Sequence, residues 1–226
     1  MYQAVAGTQS VGYTPDMEII SKEVLEQAAA ELSKRDERLA PVIARAGLCT
    51  IEPHRDYYRA LANSIIGQQL SVKAAATIKR RFVDLFGGEF PTPEQILETP
   101  NERLRSCGLS QSKANYIVDL AQHILDGRLD LSNLDQQTNE AITEKLTDVK
   151  GIGEWTAHMF LMFCMGRTDV LATGDLGIRN GVRKLYELDH APTPTEVTDI
   201  ARKHNWHPYE TIACWYVWHS LDNAPA

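Results

Sequence analysis

The chain of 226 residues is poor in cysteine, and the four it has (Cys49, Cys107, Cys164 and Cys214) stand far apart with no CxxC pair. That spacing gives no support to a zinc or iron–sulfur site. A disulfide framework is also not expected in a chain of this length without an export signal, so each cysteine reads as a small apolar side chain. No apolar run approaches the ~20 residues needed to cross a bilayer. The opening "MYQAVAGTQSVGYTPDMEII" lacks a basic start followed by an apolar stretch, so no signal peptide is expected. A cytoplasmic (nucleoid) or nuclear, non-secreted protein without membrane contact is the resulting expectation. Alternating strand patterns, internal repeats and low-complexity tracts are missing too. Basic residues are the minority: 23 Lys and Arg against 30 Asp and Glu give a net charge of −7. That balance excludes indiscriminate whole-surface binding to nucleic acid, though not a local cationic face.

What is present is helical periodicity almost from end to end, in about ten short helices joined by short connections. Ser21 is placed to cap a helix carrying Val24, Leu25, Ala28, Ala29 and Leu32 at helical spacing. Asp56 caps the next, on which Tyr57, Leu61, Ser64 and Ile65 share a face. Ser71 starts "SVKAAATIKRRFVDLFGG", Thr92–Pro93 opens a further helix, and Ser110 caps "QSKANYIVDLAQHILDG". A short helix over 138–146 precedes "GEWTAHMFLMFCMG", and two more begin near Thr193 and Pro208. Residues 1–20 read as a loose arm. The fold class is all-α, which by itself assigns no function.

Between the helices at 138–146 and 154–165 lies "TDVKGIG". Glycine takes positive φ and lets other backbone approach closely. Such a turn leaves amides unpaired near the second helix's N-terminus, where the dipole also favours an anion. A phosphate diester suits that site, with Lys145 and Lys150 adding charge and Ile152 pinning the two helices. An ordinary interhelical turn explains the glycines equally well when they are taken alone. Asp175 stands 22 residues after Gly153 in "RTDVLATGDLGIRNGVRKLY". Its plain role is to cap the helix that follows, and a cap can also serve as a reactive carboxylate.

"LTDVKGIGEWTA" followed at this distance by "LATGDLGIRNGV" resembles the helix–hairpin–helix DNA glycosylases, as do "LANSIIGQQLSVKAAATI", "GLSQSKANYIVDLA" and "WHPYETIACWYVWH". The resemblance covers residues ~55–220 and is strongest to the DNA-3-methyladenine glycosylase II group. Two departures are Lys150, where many relatives carry Pro, and Ala172–Gly174, where a Pro is frequent before the Asp. The resemblance implies a two-lobed helical fold with its active site in the interlobe cleft. Residues 56–170 would form the contiguous lobe, and 1–55 plus 171–226 the terminal lobe. Asp175 would be catalytic, and Trp155 and Trp218 would line the base pocket, with Tyr57 and Tyr58 as further candidates. Trp206 and Trp215 are left to packing. Gln69 and Leu70 in "GQQLS" match the wedge that plugs the duplex. Gly151, Gly153 and Lys150 would hold phosphate. Main-chain oxygens of Thr147, Val149 and Ile152 would hold Na+ or K+; no cofactor is required.

Relatives that also cut the backbone place a nucleophilic Lys two residues after the hairpin's last Gly, where this chain has Trp155. A monofunctional enzyme without lyase activity follows. An aromatic face there also suits a cationic alkylated purine such as 3-methyladenine or 7-methylguanine. The expected partner is double-stranded DNA carrying alkylated bases, bound by a monomer that flips the base out. Lys73, Lys79, Arg80, Arg81, Lys113, Arg179 and Arg183 would supply local basicity. Two other readings stay open: a glycosylase for a deaminated, etheno or oxidised base, and a non-catalytic hairpin module that only binds DNA.

Overall fold

The computed structural model describes residues 19–222. The arm expected over 1–20 therefore lies outside the described residues, except for its last two. Those two are tied down rather than loose. Ile19 forms an antiparallel bridge with Arg167, and the Ile20 amide donates to the Gly166 carbonyl at 2.8 Å.

Among the described residues there are twelve α-helices and no strand beyond that bridge. Side-chain caps start most of them, because the first amides of a helix have no partner within it. Ser21 accepts from Val24 N–H at the head of α1 (Lys22–Arg35). After α2 (Ala40–Ala46), Asp56, Ser71 and Thr92 do the same for α3 (Tyr57–Gly67), α4 (Val72–Asp84) and α5 (Pro93–Glu98). α6 (Asn101–Ser106) leads to α7 (Gln111–Leu125), capped by Ser110. A 3-10 turn (Leu131–Gln136) then precedes α8 (Asn139–Asp148), capped by Thr138. α9 (Glu154–Met159) runs on as a π-helix (Phe160–Met165) ended by Gly166 at φ 72°. α10 (Leu176–Leu185), α11 (Pro194–Lys203) and α12 (Glu210–Asp222) complete the chain. The sequence pattern misses α2 and α6, each too short to show two turns of apolar spacing.

The helices pack in two groups. In the central group α3 meets α4, α7 and the π-helix, α7 meets α5 and α6, and α8 meets α9. In the terminal group α12 packs on α1, α2 and α10, and α10 on α11. A buried segment after Gly166 stitches the two together. The Arg167 guanidinium donates to the carbonyls of Leu134 and Gln137 at 3.2 and 3.0 Å, while Thr211 on α12 donates its hydroxyl to the Arg167 carbonyl at 2.6 Å. All four cysteines are free and buried, as their apolar reading requires.

The terminal group is built around one fully buried carboxylate. Asp36 accepts from the Trp206 indole at 2.8 Å, from the Tyr186 hydroxyl, and from the amides of Arg38 and Leu39 at 2.9 and 3.2 Å. Trp206 is itself fully buried, in keeping with its expected packing role. Removing the acceptor strands several buried donors, each costing about 1–3 kcal/mol. Asp36→Ala is therefore expected to lower the unfolding free energy by about 3 kcal/mol or more, read as a lower urea midpoint at unchanged m-value. A midpoint equal to wild type would remove Asp36 from this role.

Candidate active site

The hairpin joining α8 to α9 is fixed by its neighbours as much as by its own bonds. Val149 and Ile152 amides donate to the carbonyls of Leu146 and Val149, at 3.2 and 3.0 Å. Gly151 adopts φ +85° with the Tyr116 ring laid against it; a Cβ there would fall 2.2 Å from Tyr116 Cδ2. The turn thus requires glycine twice over, for conformation and for space. Ile152 is buried, as a pin between the helices should be. Gly153 takes the N-cap position of α9 without any side-chain cap. Among the described residues, neither the Gly151 nor the Gly153 amide has an acceptor, which leaves both available to an anion.

Lys150 sits differently from its expected place as a free phosphate contact. Its amide donates to Asp119 Oδ2 at 2.9 Å and its ammonium pairs with Asp119 Oδ1 at 3.3 Å. Burial would push the Asp119 carboxyl up, but the bonds from Lys150 outweigh it and hold the group below its ordinary value. A spacing argument counts Lys150 as cationic; it cannot see a carboxylate arriving from α7.

The "GQQLS" loop lies beside the hairpin. Gln68 Nε2 donates to the Gly151 carbonyl at 2.7 Å. Gln69 is exposed at φ 56°, a left-handed conformation that costs an L-residue about 1–2 kcal/mol. Leu70 is 36% exposed beside it. Both expected wedge residues therefore stand at the surface, next to the amides of the hairpin.

Asp175 caps α10 and does more. Its Oδ1 accepts from the Ile178 amide at 2.8 Å and from the Trp218 indole at 2.9 Å, while its Oδ2 accepts from the Trp155 indole at 2.7 Å. Trp155 comes from α9 in the central group, and Trp218 from α12 in the terminal group. The carboxylate lies at the junction of the two groups, partly exposed, with each indole fixing one oxygen. Trp155 is 52% exposed and Leu176, next to Asp175, is 66% exposed; such large apolar surfaces in the open mark a place where something binds.

Phe163 stacks on Trp218 with ring centroids 5.8 Å apart and a 30° tilt. It opens onto a cavity of about 580 Å³ lined by Asn63, Ser64, Met159 and Phe160 among others. The volume and the faces of Phe160 and Phe163 suit a flat, base-sized ligand, while Asp56, Arg59, Asn63, Ser64, Lys79 and Thr156 make much of the remaining wall polar. Phe163 could not be singled out from sequence, because the π-helix rotates it off the α-helical register. Tyr57 and Tyr58, expected in the base pocket, do not line this cavity. Tyr57 is buried edge-on against Phe160 with its hydroxyl given to Asp135 at 2.7 Å; burial, then that bond, pushes its pKa up to about 12. Tyr58 packs edge-on against Phe90, and its buried hydroxyl is without a partner among the described residues. Trp215 packs against Tyr216 and His219 away from Asp175, as a core aromatic.

Gly177 is a site residue that the sequence reading passed over. A Cβ there would lie 2.8 Å from Trp218 Nε1 and 3.0 Å from Asp175 Oδ1. The second glycine of "GDLG" thus makes room for the indole to reach the carboxylate. Its backbone is helical, so alanine would favour α10 by about 1 kcal/mol while displacing the ring. Gly177→Ala is expected to shift the Trp218 indole N–H resonance upfield and to speed its exchange with solvent, with the melting temperature little changed. An unaltered indole signal would contradict this placement.

No helix among the described residues is long and apolar enough to cross a membrane, and no cluster of three or more His, Cys, Asp or Glu is arranged to hold a metal. Residues 62–205, spanning the loop, the hairpin, Asp175 and α10, match the model of the HhH-GPD superfamily base excision DNA repair proteins. The chain is 36% identical over 201 residues to DNA-3-methyladenine glycosylase 1 of Schizosaccharomyces pombe, covering 86% of each. Its fold matches a DNA-3-methyladenine glycosidase of Bacillus halodurans with TM-score 0.80 and 37% identity, over 92% of this chain and 94% of that one. It also matches the S. pombe 3-methyladenine DNA glycosylase Mag1, solved in complex with abasic DNA, with TM-score 0.75 and 34% identity over 88% and 98% of the two chains. That match covers more than half of the chain, and the chain belongs to the HhH-GPD superfamily of base excision DNA repair proteins.

Proposed function

We propose that this protein is a monofunctional DNA glycosylase of the 3-methyladenine glycosylase II type, which flips alkylated purines out of duplex DNA and hydrolyses their glycosidic bond. The observation that carries the reading is the Asp175 carboxylate, held open to the junction by one indole from each helix group. The substrates named for its relatives point the same way.

Alkylation at N3 or N7 leaves the purine cationic, so it departs neutral with the electron pair of the C1′–N bond and needs no acid from the protein. The aromatic faces of Trp155, Trp218 and Phe163 attract such a cation. The sugar left behind is oxocarbenium-like, and Asp175 faces it with a full negative charge. Water adds at C1′ and gives up one proton to the Asp175 carboxylate, which passes it on to solvent. Oδ1 already accepts two N–H bonds and Oδ2 one, so Oδ2 keeps the lone pair free for the reacting centre. Trp155 occupies the place a lyase would give to its lysine, so cleavage stops at the abasic site.

Gly151 and Gly153 amides hold the phosphate, and Gln69 with Leu70 fills the gap left in the stack. Lys150, whose amide and ammonium both bond Asp119, stands beside that phosphate with an exposed side chain. The cations available to DNA lie on α4 instead: Lys73, Arg80 and Arg81 are exposed and enter no ion pair among the described residues. A monovalent cation, Na+ or K+, belongs to this proposal as an auxiliary to the hairpin. Val149 O accepts one amide and keeps a second lone pair for it, with Thr147 and Ile152 as partners; no chemical step depends on it. Lobe boundaries near residues 56 and 170, action as a monomer, and residence where DNA is kept, in nucleoid or nucleus, complete the reading.

Asp175→Asn keeps the cap oxygen but removes the charge and turns an NH2 toward the Trp155 N–H. Release of 3-methyladenine and 7-methylguanine from methylated duplex DNA should fall by about 100-fold or more, with DNA affinity retained. Equal release by wild type and variant would remove Asp175 from catalysis. Release from deaminated, etheno or oxidised bases alone would reassign the lesion, and no release by either protein from any of them would leave a binding module.

A further inference from the structure

We propose that one face of α7 sets the spacing between the stack-filling loop and the phosphate-gripping hairpin, with Lys113 as the positioning residue that holds the loop in its inserting shape. The inference rests on the glycosylase reading, since it assigns the loop its insertion role. Lys113, Tyr116 and Asp119 follow one another at three-residue steps and so share a side of the helix. Each grips a different part of the DNA-facing surface. Lys113 Nζ donates to the carbonyls of Ile66 and Gln68, at 2.9 and 2.5 Å. Tyr116 lays its ring on Gly151. Asp119 takes both the amide and the ammonium of Lys150. Gln68 closes the circuit by donating to the Gly151 carbonyl at 2.7 Å.

The chemistry explains why a lysine is needed at this point. The last carbonyls of α3 have no amide partners within the helix, and the negative end of its dipole gathers there. An ammonium satisfies one of them, Ile66 O, together with the carbonyl of Gln68 just beyond the helix end. The residue immediately after, Gln69, is in the left-handed region without being glycine, a conformation that persists only when its surroundings impose it. The Leu70 amide closes a turn onto the Gly67 carbonyl at 3.3 Å with Gln69 at its left-handed position, and Lys113 on the preceding carbonyl and Gln68 on the hairpin brace that turn from outside. Partial burial pushes the Lys113 ammonium below its ordinary pKa, in line with its turn toward these carbonyls. The local-basicity count therefore loses Lys113 as a DNA contact and gains it as a brace.

The test separates bracing from both phosphate contact and chemistry. A duplex carrying a stable abasic analogue beside 2-aminopurine reports insertion of the loop as unstacking fluorescence, with no base released. In Lys113→Met the fluorescence rise should be largely lost, and single-turnover base release should drop by about 100-fold, as for a misplacement of about 1 Å. Binding to undamaged duplex and its salt slope should stay as in wild type, and Lys113→Arg should recover most of the signal. Gln68→Leu should reproduce the loss, and the double variant should be less impaired than the two effects multiplied, since both act on one brace. A full fluorescence rise in Lys113→Met would overturn the proposal, as would a salt slope lowered by about one unit, which denotes a phosphate contact. Should Lys113→Met fail to fold, normal insertion by Gln68→Leu would overturn it equally. A wild type that inserts its loop but releases no base from any lesion would sink the glycosylase reading and leave the brace standing.

Discussion

The site depends on one carboxylate shared between two groups of helices. Asp175 starts α10 in the terminal group, yet its second oxygen is held by an indole from α9 in the central group. Each half of the molecule presents a tryptophan N–H, and the Asp175 carboxylate lies where they converge. The position of Asp175 relative to the hairpin is therefore a property of how the halves pack; the buried Arg167 segment joins them, and the Asp36 network holds the terminal half together. Catalysis by a carboxylate is electrostatic, so a small displacement of the charge from the sugar is costly. Two aromatic donors on a well-packed scaffold restrain it better than a mobile loop would.

The same logic runs through the DNA-facing surface. The hairpin and the loop are both irregular turns, and both contain a residue at positive φ. α7 supplies a straight edge against which both are fastened. Its lysine and aspartate turn inward to backbone and to Lys150, which explains how an acidic protein keeps a defined nucleic-acid face. Much of the basic charge near the motifs is structural, and the charge left for DNA is concentrated on α4.

Much of this was legible in the sequence, for physical reasons that differ by element. Caps such as Ser21, Ser71, Ser110 and Thr193 announce helices because their side chains bond amides three residues on, a local matter. The glycine hairpin and Asp175 were legible as a constellation. What was lost is what depends on non-local approach. Nothing near Lys150 foretells Asp119, nor does anything near Trp155 foretell its bond to Asp175, 20 residues away. Tyr57 and Tyr58 lie close in sequence to the cavity-lining Asn63 and Ser64, yet they turn toward Asp135 and Phe90. The π-helix at Phe160–Met165 shifts the register just where the pocket wall forms, so helical periodicity misplaces Phe163.

A structure of the protein on duplex DNA in which a cationic pyrrolidine replaces the target sugar would test the central claim directly. That ring imitates the charge of the departing sugar. The account predicts its nitrogen within hydrogen-bonding distance of Asp175 Oδ2, with Trp155 and Trp218 still bound to the carboxylate and the neighbouring phosphate on the amides of Gly151 and Gly153. A ring nitrogen lodged elsewhere, with Asp175 facing solvent or protein alone, would contradict it.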